Sequence, residues 1–248
     1  MITIGITGNK GFIGTALKEA IVKKYEKTDD QVRCYLLDLP GFDLLHMNAP
    51  KVDVLFHLAA QTDVQKSIED PMVDAKVNIL GTIKILKHNP DAKIIIAGSA
   101  ATDNPQSPYG VSKLAQELYA TILHKNAVIC RFPNVFAEND HGVVGKFINK
   151  KECWVNGDGK QTRTFVYVGD VAEGLIKAMD WKPGVYNFGG AKPVSILALA
   201  KATGKKIIFN PALPNEIRKS EMQNTTPNWK PKVDVKNYII VNVASQRN

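Results

Sequence analysis

The sequence predicts an α/β protein built on a doubly wound parallel sheet, with a smaller C-terminal lobe that binds the substrate. Short apolar runs alternate with helical patterns over the first half of the chain. A glycine-rich turn follows the first apolar run and opens a helix. Both features are typical of Rossmann-type nucleotide-binding domains, whose parallel strands are covered by helices on both faces.

The first half of the chain alternates predicted strands and predicted helices in a regular order. The predicted strands are residues 2–6, 32–37, 52–58, 93–97 and 127–132. The predicted helices are residues 12–24, 72–87 and 109–124. Because parallel strands need long crossover connections of this kind, we assign residues 1–134 to a Rossmann-type nucleotide-binding domain.

The second half of the chain has a looser pattern, and several prolines interrupt its C-terminal part. Its predicted elements are strand 164–168, helix 171–179, strand 185–188, helix 195–202 and strand 206–209. We expect residues 135–248 to form the substrate-binding lobe, with residues 164–180 returning to the first sheet.

Composition and charge limit the class of protein. The chain has 248 residues, 44% of them hydrophobic, which is enough to bury a sizeable core. Its net charge of +8 comes from scattered lysines without a basic run, so we expect anionic small-molecule substrates and not nucleic acid. The chain begins in a strand, and its apolar runs are too short to span a membrane, so we expect a cytoplasmic protein.

The three cysteines predict free thiols in a reducing compartment. Cys34, Cys130 and Cys153 are far apart in the sequence, and the first two lie in apolar strand-like runs where we expect them to be buried. The five histidines show no ligand spacing, so the sequence predicts no metal site.

The glycine turn predicts a dinucleotide site. Its glycines are spaced G-x-x-G-x-x-G, at Gly8, Gly11 and Gly14. Gly8 permits a tight turn, Gly11 lets the backbone approach a pyrophosphate, and Gly14 lets the helix pack closely. We expect the free N–H groups at Phe12 and Ile13, at the helix N-terminus, to bind the phosphates.

Asp38 predicts that the cofactor is NAD. It ends the second apolar run, 24 residues beyond Gly14. A carboxylate at this place accepts hydrogen bonds from both adenosine ribose hydroxyls and repels a 2′-phosphate. Lys10, inside the turn, is the feature that would suit NADP instead.

Tyr109 and Lys113 form the predicted catalytic pair, four residues apart on one helix face. A phenol with a pKa of about 10 is a weak base, but a nearby ammonium lowers that pKa by stabilising the phenolate. Tyr109 could then exchange a proton with an alcohol while hydride passes to or from nicotinamide. Lys113 can also hold the nicotinamide ribose. Ser99 ends the fourth predicted strand and can donate a hydrogen bond to the reacting oxygen.

These motifs, with others along the chain, resemble those of the extended short-chain dehydrogenase/reductases, especially the UDP-sugar 4-epimerases. The resemblance extends nearly from end to end. It rests on residues 7–14, Asp38, 42–44, 57–61, Asn78, 81–82, Ser99, 109–113, 131–135, 157–163, 164–170, 186–189 and 229–233.

The resemblance implies further site residues. Asp43 and Leu44 would flank the adenine. The residues that would line the cofactor or support the catalytic network are Leu58, Ala59, Ala60 and Asn78. Asn134, Arg163 and Arg218 would hold the substrate diphosphate, a role that suits the bidentate fork of a guanidinium. We also expect a homodimer.

The chain departs from this family in length. Family members usually exceed about 300 residues, and the segment between Ser99 and Tyr109 has only nine residues here. That segment normally covers part of the active site. Residues 39–52 are also compressed.

The leading functional prediction is epimerisation of a UDP-sugar at C4 through a 4-keto intermediate. Nucleotide-sugar ketoreductases and dehydratases of the same family are alternatives. Ala100 and Ala101 stand where a 4,6-dehydratase carries Asp and Glu, and Asp38 favours NAD over the NADPH that reductases more often use. A non-catalytic NAD-binding scaffold is a third possibility, which the shortened segment suggests and the complete Ser99, Tyr109 and Lys113 set argues against.

Overall fold

A computed structural model of the chain describes residues 1–26, 31–38, 43, 46, 49–190, 192–213 and 217–246. The strands are β1 (Ile2–Thr7), β2 (Val32–Leu37), β3 (Val54–His57), β4 (Lys93–Ser99), β5 (Ala127–Phe132), β6 (Asn134–Phe136), β7 (Glu152–Asn156), β8 (Thr162–Arg163), β9 (Phe165–Tyr167), β10 (Gly184–Asn187), β11 (Val194–Ser195), β12 (Lys206–Asn210) and β13 (Lys219–Ser220). The α-helices are α1 (Phe12–Tyr25), α2 (Val64–Glu69), α3 (Pro71–Ala75), α4 (Gly81–His88), α5 (Pro108–Leu123), α6 (Val143–Asn149), α7 (Val168–Ala178), α8 (Ile196–Ala202) and α9 (Val235–Ser245). A π-helical turn (Lys76–Leu80) joins α3 to α4, and a 3₁₀ turn (Ala100–Thr102) follows β4.

The chain divides into two compact units. Residues 1–131 and 172–186 form the first unit, and residues 132–171 and 187–248 form the second. None of the helices in the described part of the chain is long and apolar enough to cross a bilayer.

The main sheet has six strands in the order β10-β5-β4-β3-β1-β2. β1 pairs in parallel with β2 on one side and with β3 on the other, and β3 pairs in parallel with β4. The sheet therefore grows from β1 towards β2 on one side, and from β3 onwards on the other side of β1. The order of strands reverses at the boundary between β1 and β3. This confirms the predicted doubly wound sheet, and ligands bind such sheets outside the carboxyl ends of the strands at the reversal.

The central strands are apolar because both of their faces are covered. All four residues of β3 are buried, and so are Ile94, Ile95 and Ile96 of β4. In the described part of the chain, β2 is an edge strand of this sheet, and its Cys34 is exposed. The predicted burial of Cys34 is therefore wrong, because an apolar run does not distinguish an edge strand from a central one. Cys130 is buried as predicted.

The helix predicted over residues 72–87 consists of three successive pieces. α3 begins at Pro71 after the N-cap Asp70, whose carboxylate accepts a hydrogen bond from the Val73 N–H at 3.0 Å. The π-helical turn then interrupts the α-helical register before α4 continues to His88. Single π turns of this kind often occur at functional sites, and this one carries Asn78.

The second unit has its own apolar core around α6, α8, α9 and β7. Buried members of this core include Phe136, Phe147, Leu199 and Ile239. β7 pairs with β12, β6 pairs with β9, and β8 lies between β11 and β13. Two of these short strands carry predicted substrate-binding residues, Asn134 in β6 and Arg163 in β8, and Arg218 directly precedes β13.

Candidate active site

The glycine turn packs tightly at the carboxyl ends of β1 and β3. Gly8 has a φ of +70°, a conformation that favours glycine, and a Cβ there would lie 2.7 Å from the Ala59 nitrogen. A Cβ at Gly14 would lie 2.1 Å from the Gly8 carbonyl oxygen. Neither glycine can carry a side chain without displacing backbone, and the start of α1 therefore sits directly against the turn.

The N-terminus of α1 fits a dinucleotide pyrophosphate. Gly11 is its exposed N-cap, and among the described residues no side chain caps this helix and no acid occupies its first turn. The N–H groups at Phe12 and Ile13 lie in the first turn of the helix, where they have no intrahelical acceptor. Such a helix end attracts phosphate oxygens through these donors and the helix dipole.

Asp38 is bound to the same turn. Its Oδ2 accepts a hydrogen bond from the backbone N–H of Lys10 at 2.8 Å. The carboxylate predicted to select NAD therefore lies beside the glycine turn. Asp43, predicted to flank the adenine, pairs with His46 at 2.8 Å, and Leu44 lies outside the described residues.

The segment after β3 lies against the glycine turn. The Leu58 N–H donates to the Thr7 carbonyl at 3.2 Å, and the Ala59 N–H donates to the Thr7 Oγ1 at 3.2 Å. Leu58, Ala59 and Ala60 are half-buried. The structure thus brings two of the predicted cofactor-lining residues, Leu58 and Ala59, to Gly8.

Ser99 is held with its hydroxyl oxygen as an acceptor. It ends β4, and its Oγ accepts a hydrogen bond from the Ala101 N–H at 3.2 Å. Its carbonyl accepts the Thr102 hydroxyl at 2.7 Å. Because a serine hydroxyl has a single hydrogen, this arrangement leaves the Ser99 O–H to be donated elsewhere.

Tyr109 is the second residue of α5, and the start of that helix is fixed by its neighbours. Ser107 is the N-cap and accepts the Gly110 N–H at 3.2 Å, and Pro108 occupies the first helical position. The Tyr109 N–H donates to the Ser67 Oγ of α2 at 3.1 Å. These two hydrogen bonds, to Ser107 and to Ser67, fix the start of α5 and so place the phenol at the carboxyl edge of the sheet.

The expected lowering of the Tyr109 pKa is wrong for the protein alone. Burial raises the Tyr109 pKa above its ordinary value, and the nearby carboxylates of Asp74 and Glu117 raise it further. A hydrogen bond with Ser99 acts in the opposite direction. Tyr109 is therefore a neutral phenol in the protein alone.

Lys113 is buried, and oxygen atoms hold its ammonium. Nζ donates to the Ala97 carbonyl at 2.6 Å and also to the Gln116 Oε1. Burial lowers the Lys113 pKa to about 8, while Glu117 and Asp74 oppose that shift. The lysine is thus a cation near neutral pH and titrates just above it.

Asn78, for which the sequence analysis predicts a supporting role, connects three segments of the site. The two hydrogens of its Nδ2 are shared among three acceptors, the Gln61 carbonyl at 3.0 Å, Asp74 Oδ1 at 3.1 Å and Ser112 Oγ at 3.0 Å. Its Oδ1 accepts the Gln61 N–H at 2.8 Å. Ser112 precedes Lys113, so Asn78 fixes α5 beside the segment that follows β3.

An ion-pair network that the sequence analysis missed supports the other side of α5. Glu117 accepts three hydrogen bonds from Arg131, the shortest of them 2.7 Å. Arg131 also donates to Asp103 at 2.8 Å. The short segment between Ser99 and Tyr109 is thereby bound to β5 and α5. The sequence carries no local signal for this network, because Arg131 comes from β5, 14 residues beyond Glu117.

The predicted substrate-binding residues of the second unit lie on adjoining backbone segments. The Asn134 Nδ2 donates to the Thr164 carbonyl at 3.1 Å, and the Arg163 Nη1 donates to the Thr162 carbonyl at 2.8 Å. The Arg218 carbonyl accepts the Thr162 N–H at 2.9 Å. The structure therefore gathers Asn134, Arg163 and Arg218 around β8.

The guanidinium of Arg218 is bound to a carboxylate of its own unit. It donates to Asp158 through two parallel hydrogen bonds of 2.9 and 3.0 Å. The hydrogen bond from Arg218 contributes most to lowering the pKa of Asp158 to about 2. A substrate diphosphate would have to compete with Asp158 for this fork.

Comparison with known proteins identifies relatives over the whole chain. The model of the NAD dependent epimerase/dehydratase family matches residues 4–189. A Methanocaldococcus jannaschii protein named "Putative UDP-glucose 4-epimerase" is 30% identical, with 98% of both chains covered. The UDP-glucose 4-epimerase of Mycolicibacterium smegmatis is 26% identical, again over 98% of both chains. The crystal structure of the Thermus thermophilus UDP-glucose 4-epimerase in complex with NAD matches with a TM-score of 0.79 and 25% identity, covering 100% of this chain and 99% of that one.

Proposed function

Because this chain belongs to the NAD-dependent epimerase/dehydratase family, its cofactor is NAD, and we propose that it interconverts UDP-sugars at C4. The observation that carries the proposal is the buried ammonium of Lys113, one helical turn along α5 from Tyr109, whose phenol forms a hydrogen bond with Ser99 at the end of β4. These groups can move a proton at a sugar hydroxyl. The relatives named as UDP-glucose 4-epimerases support the choice of substrate.

The residues of the first unit suit the cofactor. Gly11 and the first turn of α1 would bind the pyrophosphate, and Asp38 would accept the adenosine ribose hydroxyls. Leu58, Ala59 and Ala60 would line the rest of the cofactor. When bound, NAD supplies the acceptor and donor of the C4 hydride and adds a positive charge to the site.

The side chains of the site then remove one proton from the sugar and later return it. The phenolate form of Tyr109, which the Lys113 cation and the positive charge of a bound cofactor would stabilise, takes the proton of the C4 hydroxyl and becomes a neutral phenol. The Ser99 O–H donates to the C4 oxygen, because its oxygen already accepts the Ala101 N–H. After the 4-keto sugar turns over, Tyr109 returns the proton to the oxygen of the inverted centre.

The structure disfavours a dehydratase. Elimination would need an acid–base side chain after Ser99, and the 3₁₀ turn there carries Ala100 and Ala101. The next acid along the chain is Asp103, whose carboxylate is paired with Arg131. We therefore place epimerisation ahead of elimination for this site.

We propose that Arg163 and Arg218 grip the diphosphate of the substrate. Replacing either by alanine should weaken UDP binding by about 1.5–3 kcal/mol, the range for a hydrogen bond to a charged group. Asp158→Asn should strengthen UDP binding, because it releases the Arg218 fork. Calorimetric titration with UDP measures the affinity of each of the three variants. If all three bound UDP as tightly as the wild type, Arg163 and Arg218 would not bind the diphosphate.

The proposed activity can be tested on the purified protein. Absorbance and mass spectrometry of the denatured protein identify bound NAD. Proton NMR of UDP-galactose, UDP-glucose and their N-acetyl and uronic acid counterparts detects inversion at C4. We expect one of these pairs to interconvert without added cofactor. The absence of inversion in every pair, with NAD bound, would reject the proposal.

We propose that two copies pair through an apolar face on α5. Val111, Leu118 and Ile122 lie along one side of this helix, and Ile122 is 78% exposed. Met72 of α3 is 65% exposed. Large exposed apolar faces on helices are unusual on a monomer, and a two-fold axis would cover both copies at once. The three free cysteines suit a cytoplasmic location, which is part of the same proposal.

Light scattering coupled to gel filtration tests the dimer. Wild-type protein should have twice the mass of the chain, and Ile122→Lys should have the mass of one chain. Val22→Lys, at an exposed apolar position of α1, is the matched control and should stay dimeric. A monomeric wild type would contradict this part of the proposal.

A further inference from the structure

A buried histidine lies behind the glycine turn, and the mechanism above does not use it. His57 ends β3 and is 1% exposed. Burial is the main cause that lowers its pKa to about 3, and Lys113 is the charged group that adds to this effect. The imidazole is therefore neutral at any working pH, with one ring nitrogen as a donor and the other as an acceptor.

The neighbours of His57 determine which nitrogen carries the proton. The Thr82 hydroxyl donates its single hydrogen to the Asn78 carbonyl at 2.7 Å. Thr82 Oγ1 must then accept at its 2.9 Å contact with His57 Nε2, so Nε2 bears the hydrogen. His57 Nδ1 is consequently an acceptor, and it accepts the hydroxyl of Thr7 at 2.8 Å.

The chain of hydrogen bonds continues in one direction to the catalytic lysine. Gln116 donates its Nε2 hydrogen to the same Thr82 oxygen at 2.7 Å. This contact fixes the Gln116 amide so that its Oε1 faces Lys113 Nζ, whose hydrogen bond it accepts. Thr7, Thr82 and Gln116 are each fully buried, so water does not compete for these contacts.

The opposite end of the chain reaches the cofactor turn. Thr7 Oγ1 accepts the Ala59 N–H at 3.2 Å while its hydrogen goes to His57. Thr7 immediately precedes Gly8. A single set of donor and acceptor assignments therefore runs from the glycine turn through His57, Thr82 and Gln116 to Lys113.

We propose that His57 is a positioning residue which, as the neutral Nε2–H tautomer, orients Thr82 and Gln116 so that an amide oxygen faces the Lys113 ammonium, and which orients Thr7 beneath the glycine turn. The role assigned to Lys113 rests on the proposed function. The hydrogen-bond chain is a property of the protein itself and can be tested without substrate.

Removal of the Thr82 hydroxyl breaks the chain at its centre with little change in shape. In Thr82→Val the Gln116 amide loses its acceptor and can turn its NH₂ group towards Lys113. We expect the Lys113 pKa to fall by about one unit, the lower end of the range for a hydrogen bond to a charged group. Thr82→Ser keeps the hydroxyl and should keep the wild-type Lys113 pKa.

NMR titration of the lysine side chain in the protein without substrate measures this shift. The other charged groups near Lys113 are Glu117 and Asp74, and neither is altered by these variants. In the active enzyme the alkaline loss of kcat/KM should move to lower pH by the same amount in Thr82→Val. An unchanged Lys113 pKa in folded Thr82→Val would overturn the proposal, whatever the enzyme's substrate proves to be.

The wild-type protein supplies a second test that needs no variant. Nitrogen-15 chemical shifts of the His57 ring distinguish the two neutral tautomers from the imidazolium. We expect the neutral Nε2–H form throughout pH 5–8. An Nδ1–H tautomer, or protonation near pH 6.5, would overturn the proposal even if Thr82→Val failed to fold.

Discussion

At the level of single residues, the mechanism depends on the proton that Tyr109 exchanges. Tyr109→Phe removes one oxygen and keeps the ring, so NAD binding should be unchanged. We expect kcat to fall about 10²–10⁴-fold, the usual loss for an acid–base group. Tyr119→Phe, at an exposed position of the same helix, is the matched control for steady-state kinetics. If Tyr109→Phe and Tyr119→Phe had comparable kcat values, a group other than Tyr109 would have to exchange the proton.

The pKa of Lys113 predicts how activity depends on pH. Burial lowers that pKa from the ordinary value for lysine to about 8. Because the charged form stabilises the phenolate, kcat/KM should be maintained below pH 8 and lost as the pH rises through it. In Lys113→Arg the side chain stays charged at alkaline pH. We expect this variant to be less active than the wild type, but its kcat/KM should not fall as the pH rises through 8. A wild-type profile that is flat up to pH 10 would contradict the assignment.

The glycine turn and the Ser99, Tyr109 and Lys113 set are predictions from spacing that is local in sequence. The protonation state of Tyr109 could not be predicted in this way. Its pKa depends on burial and on the Asp74 carboxylate, which the fold brings to it from another helix. Arg218 was predicted as a phosphate ligand from the family resemblance, and its pairing with Asp158, 60 residues away, is visible only in the structure.

At the level of elements, Arg131 joins the short segment after Ser99 to α5. Its two partners differ in burial, since the Glu117 side chain is 3% exposed and that of Asp103 is 52% exposed. Asp103→Asn should therefore cost less than about 1 kcal/mol in the free energy of unfolding. Glu117→Gln should cost at least about 2 kcal/mol, because it leaves a half-buried guanidinium poorly compensated.

Urea denaturation of the two variants measures these costs, and kinetics separates their functional effects. Asp103→Asn should raise KM for the nucleotide-sugar with little loss of stability, since it releases the segment that carries Ala100 and Ala101. Equal destabilisation by both variants would show that burial does not set the strength of this network.

Most elements of the first unit could be predicted, because its longer strands and helices show their period. β2 and β5 have the predicted bounds. α2 and α9 were missed, although Asp63 and Asp234 cap them in the manner expected of helix starts. Their apolar faces are short or irregular, so periodicity alone did not reveal them.

For the whole molecule, prediction succeeded for the doubly wound sheet and was weakest for the second unit. β8, β11 and β13 have two residues each, too few for alternation to identify a strand. They form because their neighbours supply the pairing, as in the register of Thr162 with Ser195 on one side and Lys219 on the other. Such long-range pairing is not encoded in any local run of residues.

The most direct test of the central claim, inversion at C4 by hydride removal and return, follows a deuterium label. The protein is incubated with the UDP-sugar pair that it interconverts, labelled with deuterium at C4, and the product is read by NMR. We predict that the inverted sugar keeps its C4 deuterium, with no exchange into solvent and no net reduction of the cofactor. Loss of the label to water, or inversion at another carbon, would contradict the proposed mechanism.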